Sequence, residues 1–540
     1  MRVHTEETAG AVLLEDEGYF FSLFPSSQGI AARLLAPGQG NPPFDAFKGY
    51  EVTGCIGLLD YGGVTWLLAC KSSPPRNLET LDDVLFFSIP PSTHSPQASS
   101  PFHPCHHLWK VLTAGHFHFS RRIDLSTRLA NRAKVQNHRS NACMPTSRQD
   151  PTPPLMPPPH ADGTEDFVWN SALLAPLHKL REQLSPKELA AFDDRSFAVS
   201  LLHGYSRCDS IDIDGKMYLV QVESRCGWRR AGVLGLRQGI DDEGTVAEFV
   251  ETETIVSDGK KHVSFVQLRG DFPISYHTIG GTFGPQHWFS TRIVAPTPFE
   301  TFSVPPFLLH FRHLISSYSA PVRILSTVDH PDGTASDYEA VLALAQVQDQ
   351  SLVKTVKWHE TGVNNASMFG GSIAQVADEL EVCVRSGTAK MGLTVVSVAE
   401  KGAGMVLEKE QKGVWRVNSD MQLDRTSLAA WQISTRALLA AFEELGISSD
   451  LEKAGIAKVH DKLFADNCDT ISLIYSGSKT MCGSFIRTGR ASFLLAVERG
   501  LSYEKRQAKR AFEGQETEKA VEALTGQLKG QIQPILTRVT

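Results

Sequence analysis

The 540-residue sequence predicts an α/β protein whose N-terminal part is β-rich. Three observations carry that expectation. Residues 10–75 are built of short apolar runs, and the pattern becomes mixed from about Phe197. One stretch, Gly413 to Gly446, passes from a short apolar strand through a tight loop into a long amphipathic helix.

In the β-rich part, Val52 to Leu59 and Gly63 to Cys70 lie on either side of a Gly-rich turn and predict a hairpin. Ile89 to Pro104 and Pro145 to Pro159 are Pro- and Ser-rich and read as surface loops. Val168, Leu173, Leu174, Leu177 and Leu180 predict a helix over Phe167 to Leu184. Strands are expected near Met217 to Val222 and Thr245 to Val256. The last forty residues are rich in Glu, Lys and Gln, with Ala511, Val521, Leu524 and Leu528 at loose helical spacing. They read as one or two charged surface helices. The expected division is 1–190, with a Pro-rich insertion at about 145–160, then 191–500, then the tail 501–540.

Composition narrows the function. Hydrophobic residues make up 41% and charged residues 21% of the chain, a soluble globular balance. The net charge of −7 argues against a nucleic-acid binder acting through bulk charge, so no nucleic-acid partner is expected. Nine scattered cysteines without a Cys-x-x-Cys read as free thiols in a reducing compartment. The start, Met1-Arg-Val-His-Thr-Glu-Glu7, lacks the apolar core of a signal peptide, and no run approaches the length of a membrane span. A cytoplasmic protein, peripheral at membranes, is the expectation. His103, Cys105, His106, His107, His116 and His118 meet no recognised ligand spacing, so no metal is expected. Gly477-Ser-Lys-Thr480 lacks the upstream glycine of a nucleotide-binding loop.

The chemistry is concentrated between strand and helix. Leu428, Trp431, Thr435, Leu438, Leu439, Phe442 and Leu445 share one face of a helix predicted over Thr426 to Leu445, with Gly446 as its stop. Ser419 to Arg425 forms the loop before it. Main-chain N–H groups and the helix dipole at such a junction favour a phosphate, and an Arg clamps two of its oxygens. Cysteine-dependent phosphatases place a Cys on the strand side of five residues and the Arg on the helix side. Here that spacing runs from Ser419 to Arg425. A serine hydroxyl is a poor nucleophile without a base.

This loop resembles the signature Arg-Thr-Asn-Cys-x-Asp-Cys-Leu-Asp-Arg-Thr-Asn of the Sac (synaptojanin-like) phosphoinositide phosphatases. Arg416, Asn418, Leu423, Asp424, Arg425 and Thr426 match it. Val417 replaces its first Thr, Ser427 its last Asn, Gln422 its second Cys, Met421 an acidic residue, and Ser419 the nucleophilic Cys. Further blocks follow in family order: Gly115-His-Phe-His-Phe-Ser120 with Asp124-Leu125, Val168-Trp-Asn170, Arg229-Arg-Ala-Gly232, Arg237 to Gly244, Ala247 to Ile255, Ser264 to Gly270, Ala465 to Ser478, and Phe485 to Arg490. The resemblance covers roughly residues 50–500.

The resemblance implies an N-terminal β-rich Sac subdomain packed on an α/β Cys-phosphatase-like catalytic subdomain. The implied activity is phosphoric monoester hydrolysis on the inositol ring of phosphoinositides, through a cysteinyl phosphate and without metal or other cofactor. It also implies that Ser419, Asp424 and Arg425 take the catalytic positions and that Arg416, Asn418, Asp420 and Thr426 hold phosphate. Paired C-terminal membrane helices and a second, 5-phosphatase domain are not expected in these residues. Arg225, Arg229, Arg230, Arg237, Arg487 and Arg490 are candidates for the wall of the headgroup site, with internal pairing to Asp241, Asp242 and Glu248 to Glu253 as the alternative.

Three functions fit this pattern. The first is a pseudophosphatase that binds phosphoinositide headgroups. The second is an active phosphatidylinositol-monophosphate phosphatase with a non-standard nucleophile, with Asp420 or Asp424 as base. The third is a scaffold that binds protein partners through the Pro-rich loop or the C-terminal tail. Asp424 has an alternative role as a cap of the helix.

Overall fold

The computed structural model describes residues 1–6, 10–27, 29–37, 48–72, 79–92, 94–121, 123–142, 164–195, 197–232, 238–279, 292–294, 297–326, 334–360, 373–398, 404–419, 423–447, 455–477, 479–480, 482–489 and 515–539. The Pro-rich segment at 145–160, Asp420, Met421, Gln422, Arg237 and Arg490 lie outside these residues. The chain divides into two compact units. One takes in Met1–Thr127, Pro145–His203 and Lys509–Thr540, and the other takes in Arg128–Met144 and Gly204–Ala508.

The first unit is β-rich, as the apolar runs predict. Strands Gly54–Tyr61 and Val64–Lys71 form the expected antiparallel hairpin, and Asp83–Ile89 adds a third strand. Gly62 and Gly63 turn the hairpin at φ 62° and 77°, a region that favours glycine. A second sheet runs Lys48–Glu51, Arg2–Glu6, Ala11–Asp16, Tyr19–Ser26, Gly29–Leu35, Leu536–Arg538. Alternate residues Val12, Leu14, Phe21, Leu23, Ile30 and Ala32 point into one core, with Leu536. The tail therefore differs from the expected surface helices. Residues 515–524 are helical with Ala520, Ala523 and Leu524 buried, and the chain then pairs parallel with Gly29–Leu35.

The helix expected over Phe167 to Leu184 is shorter, Ser171–Arg181. The reason is Asn170, fully buried ahead of it. Its Nδ2 donates to the Ile56 and Val199 carbonyls at 2.8 and 3.0 Å, and its Oδ1 accepts from the Leu201 amide at 2.8 Å. Those bonds tie the segment to two other strands of chain and hold it out of the helix.

In the second unit, Val356–Glu360, Val322–Ser326, Val414–Ser419 and Lys261–Asp271 lie side by side and parallel. Val250–Ser257, Lys216–Cys226 and Leu202–Ile213 continue the sheet antiparallel. The strand expected from Thr245 starts later, at Val250, because Asp241 and Thr245 close a turn on themselves. The Thr245 amide donates to Asp241 Oδ1 at 2.8 Å and the Asp241 amide to the Thr245 carbonyl at 3.0 Å. Helices Leu423–Glu444 and Ile456–Ser476 pack on one face of this sheet, and Val304–Tyr318 packs against Val322–Ser326. The result is the predicted α/β architecture.

Lys261–Asp271 changes neighbours along its length. Its first residues pair with Thr394–Val398 and its last with Val414–Ser419. At the changeover, Val266 pairs with Glu253 on one side but has no strand partner on the other, and buried main-chain groups must be satisfied. The side chain of Gln411 supplies them: Oε1 accepts from the Val266 amide at 2.7 Å, and Nε2 donates to the Val266 and Gly413 carbonyls at 2.8 and 2.9 Å. Gly413 then opens the Val414–Ser419 strand at φ 89°, where an added Cβ would sit 2.4 Å from the Pro321 carbonyl oxygen. Gly413→Ala is therefore expected to lower unfolding stability by about 2–4 kcal/mol. A urea midpoint unchanged from wild type would refute this.

Candidate functional site

Four parallel strands end together, and in such sheets ligands bind beyond the carboxyl ends. Val414–Ser419 is an inner strand of this set. It is followed after three residues by the helix Leu423–Glu444, 22 residues long. The helix starts three residues earlier than Thr426, so Asp424, Arg425 and Thr426 all sit in its first turn. There the first amides have no partner within the helix and the dipole favours an anion. Of the face read from the sequence, Leu428, Leu438 and Phe442 are buried, Trp431, Thr435, Leu439 and Leu445 are only partly so, and Ile433 and Ala437 complete the side that anchors the helix. A buried chain of Thr254 Oγ1, Ser434 Oγ and His460 Nε2, at 2.6 and 2.7 Å, ties the helix to the sheet and to Ile456–Ser476.

Ser419 is the last residue of its strand, in register with Asp271. Arg425 is 2% exposed and Thr426 is fully buried. Asp424 Oδ1 accepts a hydrogen bond from the Thr480 hydroxyl, and the Asp424 carbonyl accepts one from Cys482 Sγ at 3.1 Å. A second tier holds Thr480. Its amide donates to Asp469 Oδ1 at 3.3 Å, and Arg487 grips Asp469 Oδ2 at 2.6 Å and Asp466 at 2.7 Å. Thr480 belongs to the Gly477–Thr480 stretch that fails as a nucleotide loop. Its place here is beneath the helix start.

Arg416 and Asn418 occupy the other side of the strand. The Arg416 guanidinium is fully buried, donates to His310 Nε2 at 3.1 Å and to the Asp271 carbonyl at 2.6 Å, and also bonds Asn418 Oδ1. Burial pulls it down to about 10. Burial and the Arg416 charge hold His310 well below its ordinary value. A neutral His310 can accept from Arg416 at Nε2 while Nδ1 donates to the Gly244 carbonyl at 3.1 Å. The sequence reading placed Arg416 and Asn418 among the phosphate ligands. The structure engages them with each other, with His310 and with the main chain.

The basic wall is corrected at Arg225. It is fully buried and meets Glu223, Glu251 at 2.8 Å and Glu253 at 2.9 Å. The internal alternative describes it. Arg230 bonds the Gln238 carbonyl at 2.7 Å and lies 3.6 Å from Asp241, Arg487 is paired as above, and Arg229 stacks 4.8 Å over Trp228.

Sequence reasoning missed Asp271. It is 2% exposed and burial pushes its carboxyl up to about 6, against hydrogen bonds from the Tyr276 hydroxyl at 2.7 and 2.6 Å, the Gly239 amide at 2.7 Å and the Phe272 amide at 2.8 Å. No spacing in the sequence signals it, since only strand register sets it opposite Ser419. Among the described residues, no group of three or more His, Cys, Asp or Glu could hold a metal ion. No described helix is long and apolar enough to cross a membrane.

The sequence model of the SacI homology domain matches residues 53–359, more than half of the chain. The chain belongs to the SacI homology family. Similar curated proteins agree with this placement. Polyphosphatidylinositol phosphatase INP53 of Saccharomyces cerevisiae is 25% identical over 90% of this chain and 44% of its own length. Inositol-1,4,5-trisphosphate 5-phosphatase 1 of Schizosaccharomyces pombe is 28% identical over 90% of this chain and 45% of its own length. Phosphatidylinositol-3-phosphatase SAC1 of Drosophila melanogaster is 26% identical over 73% of this chain and 60% of its own length. This SacI homology chain therefore spans less than two thirds of each of these relatives.

Proposed function

We propose that this chain binds the phosphorylated inositol headgroup of phosphoinositides at the 419–426 loop and hydrolyses it slowly or not at all. The observation that carries the reading is the pairing of a strand ending at Ser419 with Arg425, buried in the first turn of a long helix. That geometry suits a phosphate, while a hydroxyl at the attacking position lacks the thiolate that a helix N-terminus and an Arg would stabilise. Arg416 and Asn418 brace the strand end in this reading. Asp420 and Thr426 remain candidates for direct contact with phosphate. Cys482, which stands where the family commonly carries a Lys, is buried beside the Asp424 carbonyl and adds no charge there. Membrane contact is peripheral, through the lipid headgroup.

The test is co-sedimentation with vesicles carrying each phosphatidylinositol monophosphate. Arg425→Met is expected to weaken binding about tenfold to hundredfold, the effect of losing one charge-assisted clamp. Equal binding by the variant sinks the reading and leaves the scaffold role.

The register pair of Asp271 and Ser419 favours a second reading, a residual phosphatase in which Asp271 takes the proton of the attacking group. A base must be ionised, and this carboxyl titrates at about 6. Phosphate release by the wild type would then rise as pH increases through about 6. A rate that is flat with pH, or unchanged in Asp271→Asn, excludes Asp271 as the base.

A further inference from the structure

Arg269 lies two residues before Asp271 on the Lys261–Asp271 strand, in register with Val417 on one side and Val250 on the other. It is 5% exposed, and neither Nε nor one terminal nitrogen has a hydrogen-bond partner among the described residues. The other buried guanidiniums of this sheet are provided for: Arg225 meets three carboxylates, and Arg416 meets three acceptors.

The side of the sheet that Arg269 faces follows from its neighbours. Gln267, two residues earlier on the same strand, donates to the Ala430 carbonyl of the loop helix at 2.9 Å. The positive charge of Arg269 is felt by Cys468 and Tyr475 of the Ile456–Ser476 helix and by Cys226. Cys468 Sγ in turn lies 4.0 Å from the Ser427 carbonyl, one residue beyond Thr426. Arg269 is thus placed among the sheet, the start of the loop helix and the helix beside it.

None of these three neighbours neutralises it. Burial pushes the thiols of Cys468 and Cys226 up to about 12 and the Tyr475 phenol well above its ordinary value. All three are uncharged at neutral pH. A buried guanidinium with Nε and a terminal nitrogen left without a hydrogen-bond partner carries a penalty, and the usual compensation is an anion. The anion-seeking element next to it is the N-terminus of the Leu423–Glu444 helix.

We propose that Arg269 is a second anion-binding residue beside Arg425 at the start of the Leu423–Glu444 helix, supplying its guanidinium to the phosphate that Arg425 clamps. The inference rests on the reading that this loop holds phosphate, and it specifies the ligand as a phosphomonoester. Near neutral pH such a group carries close to two negative charges, which two guanidiniums balance and one does not.

Thermal unfolding of the full chain tests it, with inorganic phosphate and, separately, with a soluble inositol monophosphate. Wild type, Arg269→Met and Arg425→Met are compared. The wild-type midpoint is expected to rise with ligand. Arg269→Met is expected to melt no lower than wild type without ligand, because it removes buried donors that have no acceptor, and to bind phosphate about tenfold or more weakly. A response to the inositol phosphate alone assigns the site to a ring-borne phosphate. A response to both assigns it to phosphate as such, and either supports the proposal if Arg269→Met loses it. If Arg269→Met responds like wild type while Arg425→Met does not, the proposal falls and the loop reading stands. If wild type responds to neither ligand, both fall. Should Arg269→Met fail to fold, Arg269→Lys decides, since it keeps the charge and loses the planar fork. At least about threefold weaker phosphate binding supports the proposal and unchanged binding overturns it.

Discussion

Ser419→Cys is expected to release phosphate from vesicles carrying phosphatidylinositol monophosphate about a thousandfold faster than the wild-type chain, or more. The position ends a strand, and after three intervening residues a 22-residue helix begins with Arg425 buried in its first turn. A thiol between this strand end and this helix start is expected to feel the helix dipole and a guanidinium, the two influences that lower a thiol pKa from about 8.5 into the range where the thiolate prevails at neutral pH. A hydroxyl gains little from the same surroundings, because its pKa starts far higher. Activity in the variant and silence in the wild type would leave the nucleophile as the missing part of an otherwise competent site. Silence in both would mean that Met421, Gln422 and Cys482 have disabled the loop beyond the nucleophile, and it would sink this prediction.

Arg225→Met is expected to lower stability by about 3–5 kcal/mol, read as the urea midpoint of the full chain. Glu223 and Glu253 are directly opposite in the ladder, and Arg225 is opposite Glu251. Like charges facing across a sheet repel, and here they do so with no solvent to screen them. Arg225 sits among all three, and its removal leaves Arg132, 2.6 Å from Glu223, as the remaining close cation in that group besides Arg128, 4.0 Å from Glu251. The pH dependence should change sign. In the wild type, burial works to raise the Glu253 carboxyl, but the Arg225 and Arg132 charges with hydrogen bonds hold it below its usual range. Its contribution is therefore present above the unfolded value of about 4.3 and is lost as pH falls through the lower, folded value. In the variant the carboxylates are buried without their cation and hold protons to higher pH. Stability should then recover as pH falls toward about 4. A variant as stable as wild type at pH 7 would show that the charges are balanced elsewhere.

Much of the site was legible in the sequence because it is local. A strand, a loop and an amphipathic helix are each encoded within about a dozen adjacent residues. The spacing of Ser419 and Arg425, the buried face of Leu428, Leu438 and Phe442, and the Gly62-Gly63 hairpin turn followed from that pattern alone. Family membership followed from ordered blocks along the chain, and the domain match over 53–359 agrees.

Other features depended on contacts that sequence spacing does not encode. Arg225 reads as a headgroup residue or as an internal one until strand register sets three carboxylates around it. Asp271 and Ser419 are 148 positions apart and become neighbours only because two strands run parallel. Thr480 supports Asp424 across 56 residues, and the Leu536–Arg538 strand reaches Gly29–Leu35 across the length of the chain. The sequence by itself determined the fold class, the strand–loop–helix and the presence of Ser419 five residues ahead of the Asp424–Arg425 helix start, since these are properties of short segments. Only the tertiary structure decided which charges are neutralised and which, like Arg269, keep guanidinium nitrogens without a hydrogen-bond partner among the described residues. Whether a buried charge is balanced depends on the groups that packing brings within a few ångströms of it.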